Sequence, residues 1–409
     1  MRRSSMHASH ACMPFVAVVG LSARMLAESA TRAGLNIVAL DLFGDRDTQR
    51  DAQHWFDIGD GALSVDPDRL VAALQRAARL PNLLGFVTAS GLEGLATRLS
   101  NTPGLPRIIG NTADEAAAVR NPERFFAMLD TMGIAHPEIA RAMPDDSAQW
   151  LIKDANGCGG THIVAANVIS GAAMSATTQS TYFQRVCAGQ PFSALFVAAR
   201  REACVIGFAE QHVTSVGTLR YVHSGSLGPV DLPAHIVDQV ETSIHAIVAC
   251  TPLSGLNSLD FLLDGDTVRV LEINARPSAT MALYEAASPR TWPRGLLDCH
   301  IDACLNGRLP REPSSRLPPR WRAAQKVIYA PHAFVASARF SQTCFDDPAC
   351  RDIPQSGTLI EAGQPVCTAV VIASTIAAAR DALGAQHARI LQRIATCHEL
   401  SHDFIALSN

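Results

Sequence analysis

Residues 270–280 read VLEINARPSAT. Val270, Leu271, Ile273 and Ala275 give the stretch the apolar content of a strand, but Glu272, Asn274 and Arg276 fall at every second position. Side chains of a strand alternate faces, so these three point one way while Leu271, Ile273 and Ala275 point the other. A carboxylate, an amide and a guanidinium in file fit two readings. One is the polar outer face of a half-buried edge strand. The other is a set of groups aimed at a ligand.

The strand before it bears on the choice. SLDFLLDGDTVRVLEIN (258–274) reads as a hairpin whose turn holds Asp264, Gly265 and Asp266. With all three in the loop, Asp260 faces Val270 and Ser258 faces Glu272, which puts Asp260 on the face of Glu272 and Asn274; a two-residue loop would put it on the opposite face. On the three-residue reading Asp260 and Glu272 are diagonal neighbours, roughly 7–8 Å apart at the backbone. Two carboxylates and an amide oxygen then converge. Such an all-oxygen set suits magnesium that shares its coordination with nucleotide phosphates.

Upstream, LIKDANGCGGTHI (151–163) delivers Lys153 from a strand into a loop holding Gly157, Gly159 and Gly160. Glycine permits positive φ and lets backbone N–H groups crowd an anion with no Cβ in the way. A lysine at the edge of such a loop suits a polyphosphate. The order is not that of a P-loop, where the lysine follows the glycines, and a flexible hairpin tip is the plain alternative. Composition favours the ligand reading: of 34 basic residues only Lys153 and Lys326 are lysine. Where arginine is the default cation, a retained lysine marks a place where a compact ammonium works and a planar guanidinium does not.

The 409 residues imply two or three domains. A hydrophobic fraction of 48% with 18% charged residues is that of a globular protein, and no apolar run approaches the roughly 18 residues of a membrane span. The net charge of −4, with both signs interspersed, points to neither nucleic acid nor an anionic membrane as partner. The eleven cysteines are scattered and form no C-x-x-C, which predicts reduced thiols in a cytoplasmic protein. Residues 1–13 read as a flexible tail before a first strand, FVAVVG, rather than as a signal peptide.

Alternation organises the rest. FVAVVG, a helix from Ser22 to Ala33 stopped by Gly34, NIVALDLFGD, the helix DPDRLVAALQRAARL and the third strand LLGFVTAS predict an open parallel α/β domain over 14–119. Its first loop, GLSARM, lacks G-x-G-x-x-G and predicts no dinucleotide site. A helix from Pro122 to Met132 opens an α+β region over 120–310 with strands QWLIKD, TYFQRVCAG, FSALFVAA and EACVIGFAEQHV, a helix near 233–250 and the hairpin. A proline-rich crossing, 312–322, leads into a small β-rich C-terminal piece over 311–409, with a last helix from about Ile376 to Ile394.

Taken together, the lysine before a glycine-rich loop, the D-F-L-L strand and L-E-I-N-x-R-P resemble the ATP-grasp superfamily, which includes D-alanine:D-alanine ligase, biotin carboxylase and glutathione synthetase. GCGGTHI, YFQRVCAGQPFSALF, GLNSLDFLLDG and LEINARPSATMALYE are most similar to its predicted ATP-dependent carboligases related to biotin carboxylase, a group associated with genes for the pterin and furan cofactors of one-carbon metabolism. Tyramine–glutamate ligase is a more distant relative. The resemblance covers about residues 14–300.

It implies that Lys153 binds nucleotide phosphates, that the loop with Gly157, Gly159, Gly160 and Thr161 closes over them, and that Gln184, Arg185 and Val186 form the hinge nearest adenine. It further implies that Asp260, Glu272 and Asn274 hold magnesium, with manganese as a substitute. Lys153 and Arg276 would serve catalysis, Arg276 facing the phosphoryl group or the acyl substrate. The implied reaction activates a small acid as an acylphosphate at the expense of ATP and joins it to an amine. An ATP-grasp carboxylase or phosphorylating enzyme, and a non-catalytic nucleotide-binding protein, stand as rivals, and a homodimer is left open. Two departures stand out. Where many members carry a further phosphate-binding lysine this chain has NPERF, leaving Arg120 or Arg124 to substitute, and the hinge lacks the usual acidic residue.

Overall fold

The computed structural model describes residues 13–168, 180–311 and 320–406. The expected tail lies outside them except for Met13, as does most of the proline-rich crossing. Strands β1 (Phe15–Val19), β2 (Asn36–Asp41), β3 (His54–Asp57) and β4 (Leu83–Thr88) form a parallel sheet in the order β3-β2-β1-β4. Gly34 stops the helix Arg24–Ala33 at φ 74°, and Asp66 caps the helix Pro67–Ala77 by accepting from the N–H groups of Asp68 and Arg69. Sequence reading missed β3. Its four residues, HWFD, lie at the sheet edge and none is buried, so no apolar run announces them.

The next strands are short. β5 (Ile139–Ala140), β6 (Trp150–Asp154), β7 (Val164–Ala165) and β8 (Thr181–Arg185) make an antiparallel sheet in the order β5-β8-β6-β7. The chain then builds β9 (Gln190–Ala199), β10 (Glu202–Val216), β11 (Leu219–Gly228), β12 (Gly255–Asp264) and β13 (Thr267–Asn274). From the C-terminal region come β14 (Arg322–Tyr329), β15 (Phe334–Val335), β16 (Cys350–Arg351), β17 (Leu359–Ile360) and β18 (Pro365–Ala373). Eight of these join one sheet, ordered β13-β12-β9-β10-β11-β14-β18-β16, while β15 pairs with β17. The β-rich C-terminal segment therefore continues the central sheet. The last helix, Ile376–Ala406, runs past the expected Ile394, and Leu383, Ile390, Ile394 and Cys397 are buried along it.

β9 is buried on both faces. Ala194, Phe196 and Ala198 join a core with the helix Ala234–Cys250, and Leu195, Val197 and Ala199 join one that reaches Val16 and Leu26 in the N-terminal region and Leu296 in the helix Leu296–Asn306. Two polar clamps fix that second contact. Glu285, buried in the helix Met281–Ala287, accepts from Ser29 Oγ and the Leu296 N–H, both at 2.6 Å, and from Arg32 Nη1 at 2.8 Å. Asn111 donates Nδ2 to the carbonyls of Ala275 (3.0 Å) and Ser254 (3.2 Å) and to Asn257 Oδ1 (2.9 Å), while its Oδ1 accepts the Ser254 N–H (2.8 Å). Ala275 immediately precedes Arg276, so this amide positions the end of the deciding strand. Asn111→Ala leaves these buried groups unpaired and is expected to cost about 2–3 kcal/mol, seen as a lowered midpoint in calorimetric unfolding.

Candidate active site

The hairpin brings Asp260 and Glu272 to one face by a different route from the one the sequence suggests. Asp264 pairs with Thr267, so the loop has two residues, Gly265 and Asp266, rather than three. The ladder then shifts between Phe261↔Val270 and Asp260↔Glu272, leaving Leu271 as an extra residue in β13. A bulge of one residue reverses the alternation beyond it. Val268 and Val270 on one side of the bulge and Ile273 on the other all stay in the core, while Glu272 and Asn274 turn to the opposite face. The expected odd turn is corrected, and the shared face is reached through the bulge. Asp260 and Glu272 stand directly opposed, not diagonal.

Across that face Asp260 Oδ1 accepts from Ser193 Oγ (2.7 Å) and Gln211 Nε2 (2.9 Å), and its Oδ2 accepts from Asn274 Nδ2 (3.0 Å). Asn274 Oδ1 accepts from Arg276 Nη2 (3.2 Å), and Arg276 Nε meets Glu93 Oε1 at 2.8 Å. Glu272 Oε2 lies 3.3 Å from Lys153 Nζ, which also donates to Gln184 Oε1 at 3.4 Å. Lys153 is 4% exposed. Burial works against its charge, but Glu272 and the Tyr182 hydroxyl outweigh that and hold the ammonium more firmly protonated than an ordinary lysine.

The two carboxylates are unequal. Burial raises Glu272, but Lys153 and Arg120 overcome it and hold Glu272 well below the ordinary carboxylate range. Asp260 has no cation so close: burial, then the Glu272 charge, push it up against its hydrogen bonds. An anion pair with one member short of countercharge fits a divalent cation, which would satisfy both carboxylates, with the Asn274 amide beside them. Among the described residues no three His, Cys, Asp or Glu side chains converge to hold a metal, so phosphate oxygens would have to complete the shell.

These groups line a cleft of about 380 Å³ that also holds Gly159, Gly160, His162, Gln184, Arg185 and Val186. Among the described residues Gln184 Nε2 and His162 Nδ1 are buried there without partners, as groups awaiting a ligand would be. The loop is seated on β11: the His223 N–H donates to Gly159 O at 2.9 Å, and a Cβ on Gly160, at φ 75°, would come within 1.8 Å of Tyr221 O. Gly157 lies beneath the His162 ring, where a Cβ would meet Cγ at 2.0 Å. Thr161 is exposed and bonds Cys158 O. Neither Gly157 nor Thr161 is among the residues that line the cleft. Burial and Glu93 push the Cys158 thiol up to about 11, which suits a packing residue rather than a nucleophile. At the hinge the Val186 N–H is engaged by Gln149 O (2.8 Å), and the Arg185 guanidinium by Glu138, Asp146 and Gln149.

Residues 121–280 match the ATP-grasp domain. The matched segment is similar to ATP-grasp domains and carries Lys153, Asp260, Glu272, Asn274 and Arg276. An uncharacterized protein of Methanocaldococcus jannaschii is 20% identical over 86% of this chain and 87% of its own. The carbamoyl phosphate synthase large chain of Pseudomonas syringae pv. tomato is 28% identical over 207 residues, 45% of this chain, which spans only 18% of that protein. The same fold is seen in the biotin carboxylase of Campylobacter jejuni, with TM-score 0.67 at 12% identity over 90% of this chain and 89% of that one. The L-amino acid ligase of Bacillus licheniformis gives 0.64 at 13% identity over 93% and 97%. No helix among the described residues is long and apolar enough to cross a membrane.

Several groups of this candidate site escaped sequence reading. Glu93 comes from the N-terminal region and holds Arg276; nothing in its local sequence, GLEGL, connects it to a residue 183 positions away. Ser193 and Gln211 reach Asp260 because β9 pairs with β12 out of sequence order and β10 lies next beyond β9. Of the two arginines offered for the missing lysine, Arg120 donates to the carbonyls of Ala155 and Gly157 beneath the loop, while Arg124 is exposed. Gly160→Ala is expected to lift the loop from β11. Hydrogen exchange at the His223 amide should rise at least about tenfold, reporting the lost bond to Gly159.

Proposed function

We propose that this protein is an ATP- and magnesium-dependent ligase that activates a carboxylate as an acylphosphate and joins it to an amine. One observation carries the reading: Asp260 and Glu272 face each other in a single cleft with Lys153 and Arg276. Magnesium, held by Asp260 and Glu272 with Asn274, would neutralise the phosphate oxygens during transfer. Lys153 would receive phosphate charge beside Glu272, with Gly159 and Gly160 covering it. Arg276, oriented by Glu93 and Asn274, faces the acid. The acid's carboxylate oxygen attacks the γ-phosphorus, the bond to the β,γ-bridging oxygen breaks and ADP leaves. The amine nitrogen then attacks the acyl carbon, and phosphate departs with the acyl–oxygen bond. Electrostatics and alignment are all that this chemistry asks of the chain.

The fold shared with an L-amino acid ligase supports amide formation. Similarity to a carbamoyl phosphate synthase large chain and to a biotin carboxylase favours a second reading, a carboxylase or phosphorylating enzyme that stops at the activated acid. Product analysis separates them: an amide in one case, a carboxylated acceptor or a phosphorylated acid in the other. Glutamate ligation in the biosynthesis of methanofuran- or methanopterin-type one-carbon cofactors is the specific case to try first, by ADP release with glutamate against a panel of amines.

Two substitutions test the site. Glu272→Gln keeps volume and removes the anion, so ADP release should fall about a hundredfold while the unfolding temperature drops by only a few degrees. Undiminished turnover would sink the assignment. Lys153→Arg keeps charge but adds bulk to a buried position, and calorimetric ATP affinity should fall about tenfold. Affinity within twofold of the wild type would show that a compact ammonium is not required.

A further inference from the structure

A second cleft, of about 850 Å³, lies at the carboxyl ends of β1 to β3 and is closed on its far side by residues 352–368. Open parallel sheets bind ligands beyond these strand ends. Asp45, Asp57, Asp352 and Glu361 line it, against one guanidinium, that of Arg69, which is paired with Asp57 at 2.6 Å. Two more carboxylates stand close behind. Asp41 accepts from the N–H groups of Ala23 and Gly44 and from Trp55 Nε1, at 2.8–2.9 Å. Asp47 accepts from the N–H groups of Asp352 and Ile353.

Asp352 is held by Arg24 and Ser22. Asp45 is different. It is 5% exposed, stands at the N-cap position of the helix Arg46–Asp51 and makes no capping bond; among the described residues its carboxylate has no hydrogen-bond or ion-pair partner within reach. Burial and the charges of Asp352, Asp47 and Asp41 push it well above the ordinary carboxylate range. A buried carboxylate without a partner is costly to fold around. The rest of the lining is apolar, including Leu42, Phe43, Ile360 and Val366, together with Leu63 and Leu359, which are 43% and 60% exposed.

We propose that this cleft binds an organic cation, a protonated amine on an apolar body, with Asp45 as its anchor. A metal ion is disfavoured because no three acidic, His or Cys side chains among the described residues stand close enough to hold one, and the cleft has room for a molecule. The lining supplies an unpaired anion for the ammonium and apolar contact for the body. Backbone hydrogen bonds link it to the candidate active-site cleft: the Leu21 N–H donates to the carbonyl of Ser90, which lines that cleft, and Leu42, which lines this one, donates its N–H to Leu21 O. An ammonium held by a carboxylate stays protonated and cannot attack an acyl carbon. It is therefore a handle, and the ligand reacts through another group. The inference deepens the ligase reading by naming the class of one substrate, but the binding itself needs no nucleotide, so each can fail alone.

The test uses the full chain without ATP and three probes of matched shape: phenethylamine, 2-phenylethanol and 3-phenylpropionate. Phenethylamine is expected to bind at least about tenfold more tightly than the other two, and to protect residues 42–46 and 352–368 from hydrogen exchange. Asp45→Asn should abolish that preference, while the ligand-free variant unfolds at or above the wild-type temperature because a buried, unpartnered carboxyl has gone. Absence of phenethylamine binding up to about 10 mM, equal affinity for amine and alcohol, protection elsewhere, or an Asp45→Asn protein that keeps the preference would each overturn the proposal.

Discussion

Asp260 and Glu272 stand opposite one another in adjacent strands, where like charges destabilise a sheet. Nearly every feature of the cleft answers that repulsion. Lys153 reaches Glu272 from a strand of another sheet, and Arg120 adds charge from the N-terminal side. Asp260 is left with neutral donors, Ser193, Gln211 and Asn274, which orient it without discharging the pair. The proposed cation between them would complete the arrangement. That asymmetry is what a binding site requires, since a fully compensated pair would have no reason to recruit an ion.

Much of this was legible in the sequence because it is local. The helix stops at Gly34 and Gly133, the cap at Asp66 and the glycine-rich loop after Lys153 are each written within a few residues. So is the polar face of 270–280. What the sequence concealed was long-range. The bulge at Leu271 leaves no compositional mark, because leucine is an ordinary strand residue, and its only trace is that Val268, Val270 and Ile273 must share a core despite their odd spacing. Counting apolar positions across the hairpin in that way would have exposed it. The turn was misjudged because Asp264-Gly265-Asp266 serves a two- or three-residue loop equally well. Glu93, Asp352 and Asp45 were invisible for a simpler reason: their partners, or lack of them, are decided by how separate parts of the chain dock.

The lysine argument illustrates what composition can and cannot decide. Lys153 lies buried in the cleft beside Glu272. Lys326 sits on β14 beside His387, with no place in either cleft. Rarity therefore pointed to a constraint on shape, and the neighbours decided whether that constraint was chemical. The same holds for glycine: Gly160 is forced by contact with Tyr221 O, whereas a Cβ on Gly159 would meet open space.

The continuation of the central sheet by β14 and β18 has a consequence for how the chain is made. During synthesis, β9 to β13 emerge from the ribosome well before β14, and until it arrives β11 presents an unpaired edge along Gly225–Gly228. Exposed edges invite pairing with any other extended chain. The closing strands come from residues 322–329 and 365–373, so the nascent protein must carry an open, sticky sheet through the translation of about a hundred further residues. Any nascent chain halted before β14 would carry both candidate site carboxylates, Asp260 and Glu272, together with a surface primed for self-association.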